Sequence, residues 1–186
     1  MDVLIVAVNF NSYYELNRFL NSVDNAMANI STDSVTVIVA DNSINKMALD
    51  ISHYENISVN VKRLPNLGYL GGAQKVINSE LKFKQYDYVV ISNVDIEVDS
   101  HFFYNLFMLN LSQDIGWIAP QIWSEEEARD KNPKVIERYS ESKLEKIRLL
   151  YKYPILDYIY TNTLYLKKKA RPQYGEMDIY AGHGSF

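Results

Sequence analysis

Four short apolar runs, at 2–8 (DVLIVAV), 34–40 (SVTVIVA), 57–64 (ISVNVKRL) and 86–92 (YDYVVIS), constrain this chain more than any other feature. Each is rich in β-branched residues, and each ends at a polar or turn-forming group, so each reads as a strand. The intervals between them carry helical spacing. Ser12 and Glu15 have the form of a capping box, followed by Tyr13, Leu16, Phe19, Leu20, Val23 and Met27 on one helix face. A helix is expected over 45–54, and another over 70–83 with Ala73, Val76, Ile77 and Leu81 as its apolar stripe. Alternating strands and helices predict an α/β fold, a mostly parallel central sheet with helices on both faces. In such sheets ligands sit outside the carboxyl ends of the strands. Asn9, Asp41, Asn66 and Asp95 each follow an expected strand end.

The run Val89-Val90-Ile91 is continuous enough to read as a strand buried on both faces. If the chain stays extended beyond Ser92, then Asn93, Asp95 and Glu97 point the same way. Such oxygen ligands can hold a divalent cation together with phosphate oxygens, with Asp95 as the metal-binding carboxylate. The competing reading is a polar turn after a core strand.

Two further clusters lie at strand ends. Asp41 and Asn42 offer acceptors and donors suited to a base edge, with Phe10 placed to stack on it; Asp-Asn-Ser is equally a common turn. Asn66 to Gly72 (NLGYLGG) precedes a helix. Glycines at 68 and 71 would let a diphosphate approach the helix N-terminus, or the segment is an ordinary helix-entry loop. Its spacing matches neither the Walker loop nor the dinucleotide fingerprint.

Composition narrows the classes. A chain of 186 residues is expected to form a single domain, 1–186. The net charge of −4 argues against general nucleic-acid binding. There are no cysteines, hence no disulfide framework and no Cys zinc site. No leader-like N-terminus and no apolar run approaching about 20 residues are present, so a cytoplasmic location is expected.

Beyond residue 100, a helix carrying Phe103, Leu106, Phe107 and Leu111 is expected, then a short strand at 115–120 and a charged surface loop at 124–133. Ser142 opens another helix, which Pro154 interrupts. A second helical piece over 155–169 is aromatic around most of its circumference and ends in Lys167, Lys168, Lys169 and Arg171. It reads as a packed helix whose basic end complements its dipole, or as a peripheral membrane contact through 139–171 at the inner face of the membrane.

Taken together, 6–12 (VAVNFNS), 39–43 (VADNS), 66–72, 91–95 (ISNVD) and 181–186 (AGHGSF) resemble the family 2 glycosyltransferases, which have the A-type nucleotide-sugar-binding fold. The likeness is closest to the rhamnosyltransferase-like branch, where the metal motif reads Asn-x-Asp. It implies an inverting transferase that moves a sugar from a UDP- or dTDP-linked donor to a hydroxyl of a glycan or lipid-linked acceptor in bacterial polysaccharide biosynthesis, with Mg2+ or Mn2+ as cofactor. By the same likeness 1–120 is a nucleotide-sugar-binding half and 121–186 an incomplete acceptor-side half; Val8, Phe10 and Asp41 hold the nucleoside, and Asn66 and Gly68 line the donor pocket, with Asn9, Asn42 and Gly71 expected to bind substrate beside them. Asn93 and Asp95 face the diphosphate and its metal, and His183 lies by the acceptor. Family members usually run past the Gly-Ser-Phe segment, where their catalytic base lies; no residue of this chain matches it. The rival readings are a non-catalytic nucleotide-sugar-binding or scaffold protein, which lacks a base, and a nucleotidyltransferase, whose basic glycine-rich loop 9–14 does not supply.

Overall fold

A computed structural model describes residues 1–30, 33–82, 85–112, 114–160, 162 and 177–182. The described residues divide into two compact units, 1–116 and 117–182.

The first unit is built on a four-stranded sheet of β1 (Asp2–Asn9), β2 (Ser34–Asp41), β3 (Ser58–Arg63) and β4 (Tyr88–Asn93), in the order β3-β2-β1-β4. All three pairings are parallel, as the strand-helix alternation predicted. β1 lies between two neighbours, and its residues from Val3 to Ala7 are fully buried. The even-numbered side chains Leu4, Val6 and Val8 pack with Ile38 and Ala40 of β2 against Ala73 and Val76 of α2 (Gly68–Glu80). The odd-numbered set, Val3, Ile5 and Ala7, is as deeply buried on the opposite face. Helix α1 (Tyr13–Met27) contributes a stripe of Leu16, Phe19, Leu20 and Val23, all buried, and it touches α3 (Phe102–Met108).

Several local expectations fail for identifiable reasons. β4 is an edge strand rather than a strand buried on both faces; Val89 is 40% exposed. No helix forms over 45–54. Ile44 and Met47 are exposed there, so no apolar face is covered. The segment is tied down instead by Lys46, whose ammonium donates to the carbonyls of Asp41 (2.5 Å) and Leu64 (2.7 Å). Ser12 makes no side-chain cap on α1; its hydroxyl donates to the Phe10 carbonyl.

Residues 115–120 form no strand. The charged stretch read as a loop contains a short antiparallel pair, β5 (Trp123–Ser124) with β6 (Arg129–Asp130). Helix α4 (Glu141–Lys152) stops before Pro154, which opens α5 (Pro154–Ile159), as the missing proline N–H requires. Of the rest of the expected helix, to Lys169, residues 160 and 162 are helical and the others lie outside the described residues. The returning chain at 177–182 bridges Val135 through Ala181. A Cβ on Gly182 would lie 2.8 Å from the Trp117 ring, so only glycine passes there without displacing it. Among the described residues no helix is long and apolar enough to cross a membrane.

Candidate functional site

The register places the strand ends side by side. Asn9 pairs with Asp41, and Val8 pairs with Asn93 on the other side of β1. Partners in register share a face, so Asn93 projects to the same side as Val8, the side covered by α2. Because β2 and β4 flank β1 from opposite directions, this point is the crevice where the crossovers diverge. A cavity of about 300 Å³ opens there, lined by Val8, Phe10, Asn42, Asn66, Gly68, Tyr69 and Asn93.

A buried polar knot behind the cavity fixes its rear wall. Asn9 donates to Asp41 Oδ1 and to Ser43 Oγ, each at 3.2 Å, and its own Oδ1 takes the Ser12 N–H at 3.2 Å. Ser43 Oγ takes the Asn11 N–H at 2.8 Å. Asp41 Oδ1 also accepts from the Ser43 N–H at 3.2 Å, and Oδ2 accepts from the Tyr13 hydroxyl at 2.9 Å. Burial alone would raise the Asp41 pKa. The hydrogen bonds from Ser43 and Tyr13 outweigh it, and the carboxyl is held below its usual range. Asp41 is 1% exposed and does not line the cavity. The base contact expected of Asp41 therefore does not match its position: its oxygens serve the donors that join β1, β2 and the start of α1.

Asn42 occupies the cavity-facing place. Its Nδ2 donates to the Gly68 carbonyl at 2.9 Å, which fixes the amide orientation, since an oxygen cannot donate there. Its Oδ1 is buried and has no hydrogen-bond partner. A buried amide oxygen left in this state costs about 1–3 kcal/mol, and here it belongs to a residue that lines a cavity.

The third wall is the first turn of α2. Gly68 has φ +71°, a left-handed conformation that glycine adopts without strain, and its N–H donates to Asn66 Oδ1 at 3.0 Å. Tyr69 lines the cavity although its presence in the NLGYLGG segment drew no role from the sequence; the only signal was an aromatic among glycines. Burial first, and then the charge of Asp95, push its hydroxyl pKa up, so it remains a donor at neutral pH. Gly71 points elsewhere: a Cβ on it would meet Leu67 Cβ at 3.2 Å, within the helix's own first turn.

The carboxylates expected in a row after β4 separate. The strand ends at Asn93 and the chain bends at Val94 and Asp95, so the alternation of faces is lost. Asn93 lines the cavity and Asp95, exposed, stands near enough to Tyr69 to act on its charge state. Glu97 leaves the group altogether and pairs with Arg18 of α1. Among the described residues no three His, Asp or Glu side chains converge to form a protein-only cation site. One carboxylate plus a side-chain amide beside a cavity is still adequate for a Mg2+-type ion that draws its remaining ligands from water and phosphate. His183 lies outside the described residues.

No protein-family model matches the sequence, and comparison with curated proteins returns no match. Two solved structures are similar to part of the chain. One is S. aureus TarS 1-349, at 18% identity and TM-score 0.43, covering 57% of this chain and 31% of that one. The other is S. aureus TarS, at 20% identity and TM-score 0.43, covering 57% of this chain and 19% of that one. This chain spans less than a third of either structure. Neither the overlap nor the identity assigns an activity.

Proposed function

We propose that the first unit binds the nucleotide of a nucleoside-diphosphate sugar, UDP- or dTDP-linked, and that the protein is a glycosyltransferase or the donor-binding portion of one. The observation that carries this reading is the orphaned, buried Oδ1 of Asn42, a residue that lines the cavity together with Phe10 and Tyr69. A uracil or thymine edge presents one N–H donor that this acceptor can take, with an aromatic surface beside it. The opening first turn of α2 then suits the diphosphate. Asn93 and Asp95 would hold the Mg2+ or Mn2+, which supplies neutralisation of the charge that grows on the departing diphosphate. In the reaction a hydroxyl oxygen of a glycan or lipid-linked acceptor attacks the anomeric carbon, the bond from that carbon to the β-phosphate oxygen breaks, the nucleoside diphosphate leaves, the hydroxyl proton is released to water, and the configuration at that carbon inverts.

Titration calorimetry with UDP and dTDP in Mn2+ tests the reading. Saturable binding that weakens in Asn42→Ala is expected; no heat at millimolar nucleotide overturns it.

A second reading is favoured by the cavity lining itself, which contains no carboxylate and no imidazole among the described residues. On that reading the chain binds the donor without carrying out transfer. Product formation from a labelled donor separates the two.

A further inference from the structure

The second unit has a feature that the nucleotide reading does not use. Neither α4 nor α5 buries a single residue. Across their junction Leu149, Tyr151, Tyr153, Ile155, Leu156 and Tyr158 are all exposed, Ile155 at 75% and Tyr158 at 71%. Scattered exposed apolar residues are ordinary, but a contiguous group of this size marks a contact surface.

Charge identifies the partner. The stretch 139–171 holds eight of the nineteen Lys and Arg residues but only three of the twenty-three Asp and Glu. On α4 itself four cations stand against two carboxylates, Glu141 and Glu145, in a chain whose net charge is −4. Lys143, Lys146, Arg148 and Lys152 lie on α4 itself, and all four are exposed. Two of these lysines sit over tyrosine rings, Lys143 at 3.8 Å from the Tyr139 centroid and Lys152 at 5.9 Å from that of Tyr153. Aromatic and aliphatic side chains edged by cations are what a bilayer interface selects: rings and aliphatic groups enter the headgroup layer, and ammonium and guanidinium groups meet anionic phosphates. Helices of 12 and 6 residues lie on such a surface and do not cross it.

We infer that the α4–α5 face is a peripheral docking surface for an anionic lipid bilayer. A second copy of the chain would place like-charged faces together, which the same charge distribution disfavours. The inference is independent of what the first unit binds.

Flotation of the whole chain with phosphatidylcholine vesicles, with and without phosphatidylglycerol, tests it. The protein should float with the anionic vesicles, stay in the soluble fraction with the neutral ones, and be released by salt. Neutralising Lys143→Gln, Lys146→Gln and Arg148→Gln should weaken binding about fivefold per residue. Ile155→Ser with Tyr158→Ser should weaken it independently, and because all five positions are at the surface, thermal melts should match the parent. Protein that remains soluble with anionic vesicles overturns the inference. So does binding that is indifferent to both variant sets, or a concentration-dependent dimer in sedimentation equilibrium that the Ile155/Tyr158 pair abolishes in place of flotation.

Discussion

Asn42 and Gly72 are in such close approach that a Cβ on residue 72 would lie 2.8 Å from Asn42 Nδ2 and 3.2 Å from its Oδ1. The absence of that one carbon is what allows the end of β2 to lie against the first turns of α2, with the Asn42 amide held between them.

Gly72→Ala should therefore break a general rule. Alanine within a helix is ordinarily favoured over glycine by about 1 kcal/mol. Here the added methyl meets an anchored amide, and overpacking costs about 1–3 kcal/mol. The variant should be no more stable than the parent in urea denaturation, and its affinity for nucleotide should fall. A gain of the full helix-propensity term would show that Asn42 can move away freely.

Gly68→Ala isolates the backbone contribution, because nothing lies within 4 Å of the added carbon. With φ at +71° the strain should cost about 1–2 kcal/mol by denaturation. Gly68→Asn should lose less, since asparagine tolerates the left-handed region.

Asp41 should govern part of the acid limb of stability. Its folded-state pKa is depressed, so its contribution is complete above the unfolded carboxyl value, near 4, and is lost as pH falls below that through the folded value. Asp41→Asn should flatten this part of the pH–stability curve. It should also cost about 1 kcal/mol at neutral pH: an NH2 turned toward Asn9 and Ser43 faces their N–H donors, and one turned toward Tyr13 makes that hydroxyl the acceptor and moves its O–H to the Asn45 carbonyl, 3.4 Å away.

Asp95→Ala and Glu97→Ala should differ in binding. Both residues are exposed, and each change should alter stability by about 0.5 kcal/mol or less. Asp95→Ala should remove the Mn2+-dependent part of nucleotide affinity measured by calorimetry. Glu97→Ala should leave binding intact, since its partner is Arg18.

What the sequence made legible was decided locally. Strands β1 and β2 are recognisable because their apolar runs are long, and the parallel pairing follows from the helices between them. What it concealed depends on distant partners. A β-branched run looks the same at the edge of a sheet as at its centre, so Val89 read as buried. Asp41 in Asp-Asn-Ser looks like an available turn carboxylate, but its donors Asn9 and Tyr13 come from 32 and 28 residues earlier. Glu97 is drawn out of its expected row by an arginine 79 positions away. The hairpin at Trp123–Asp130 has two residues per strand, too few to show any alternation.

The placement of β1 between β2 and β4 gives the crevice a built-in ruler. Strand β2, which leads into Asn42, and strand β4, which ends at Asn93, stand two interstrand steps apart, about 10 Å. That length is set by peptide hydrogen bonding, so substitutions along the cavity wall can change its chemistry while leaving its span alone.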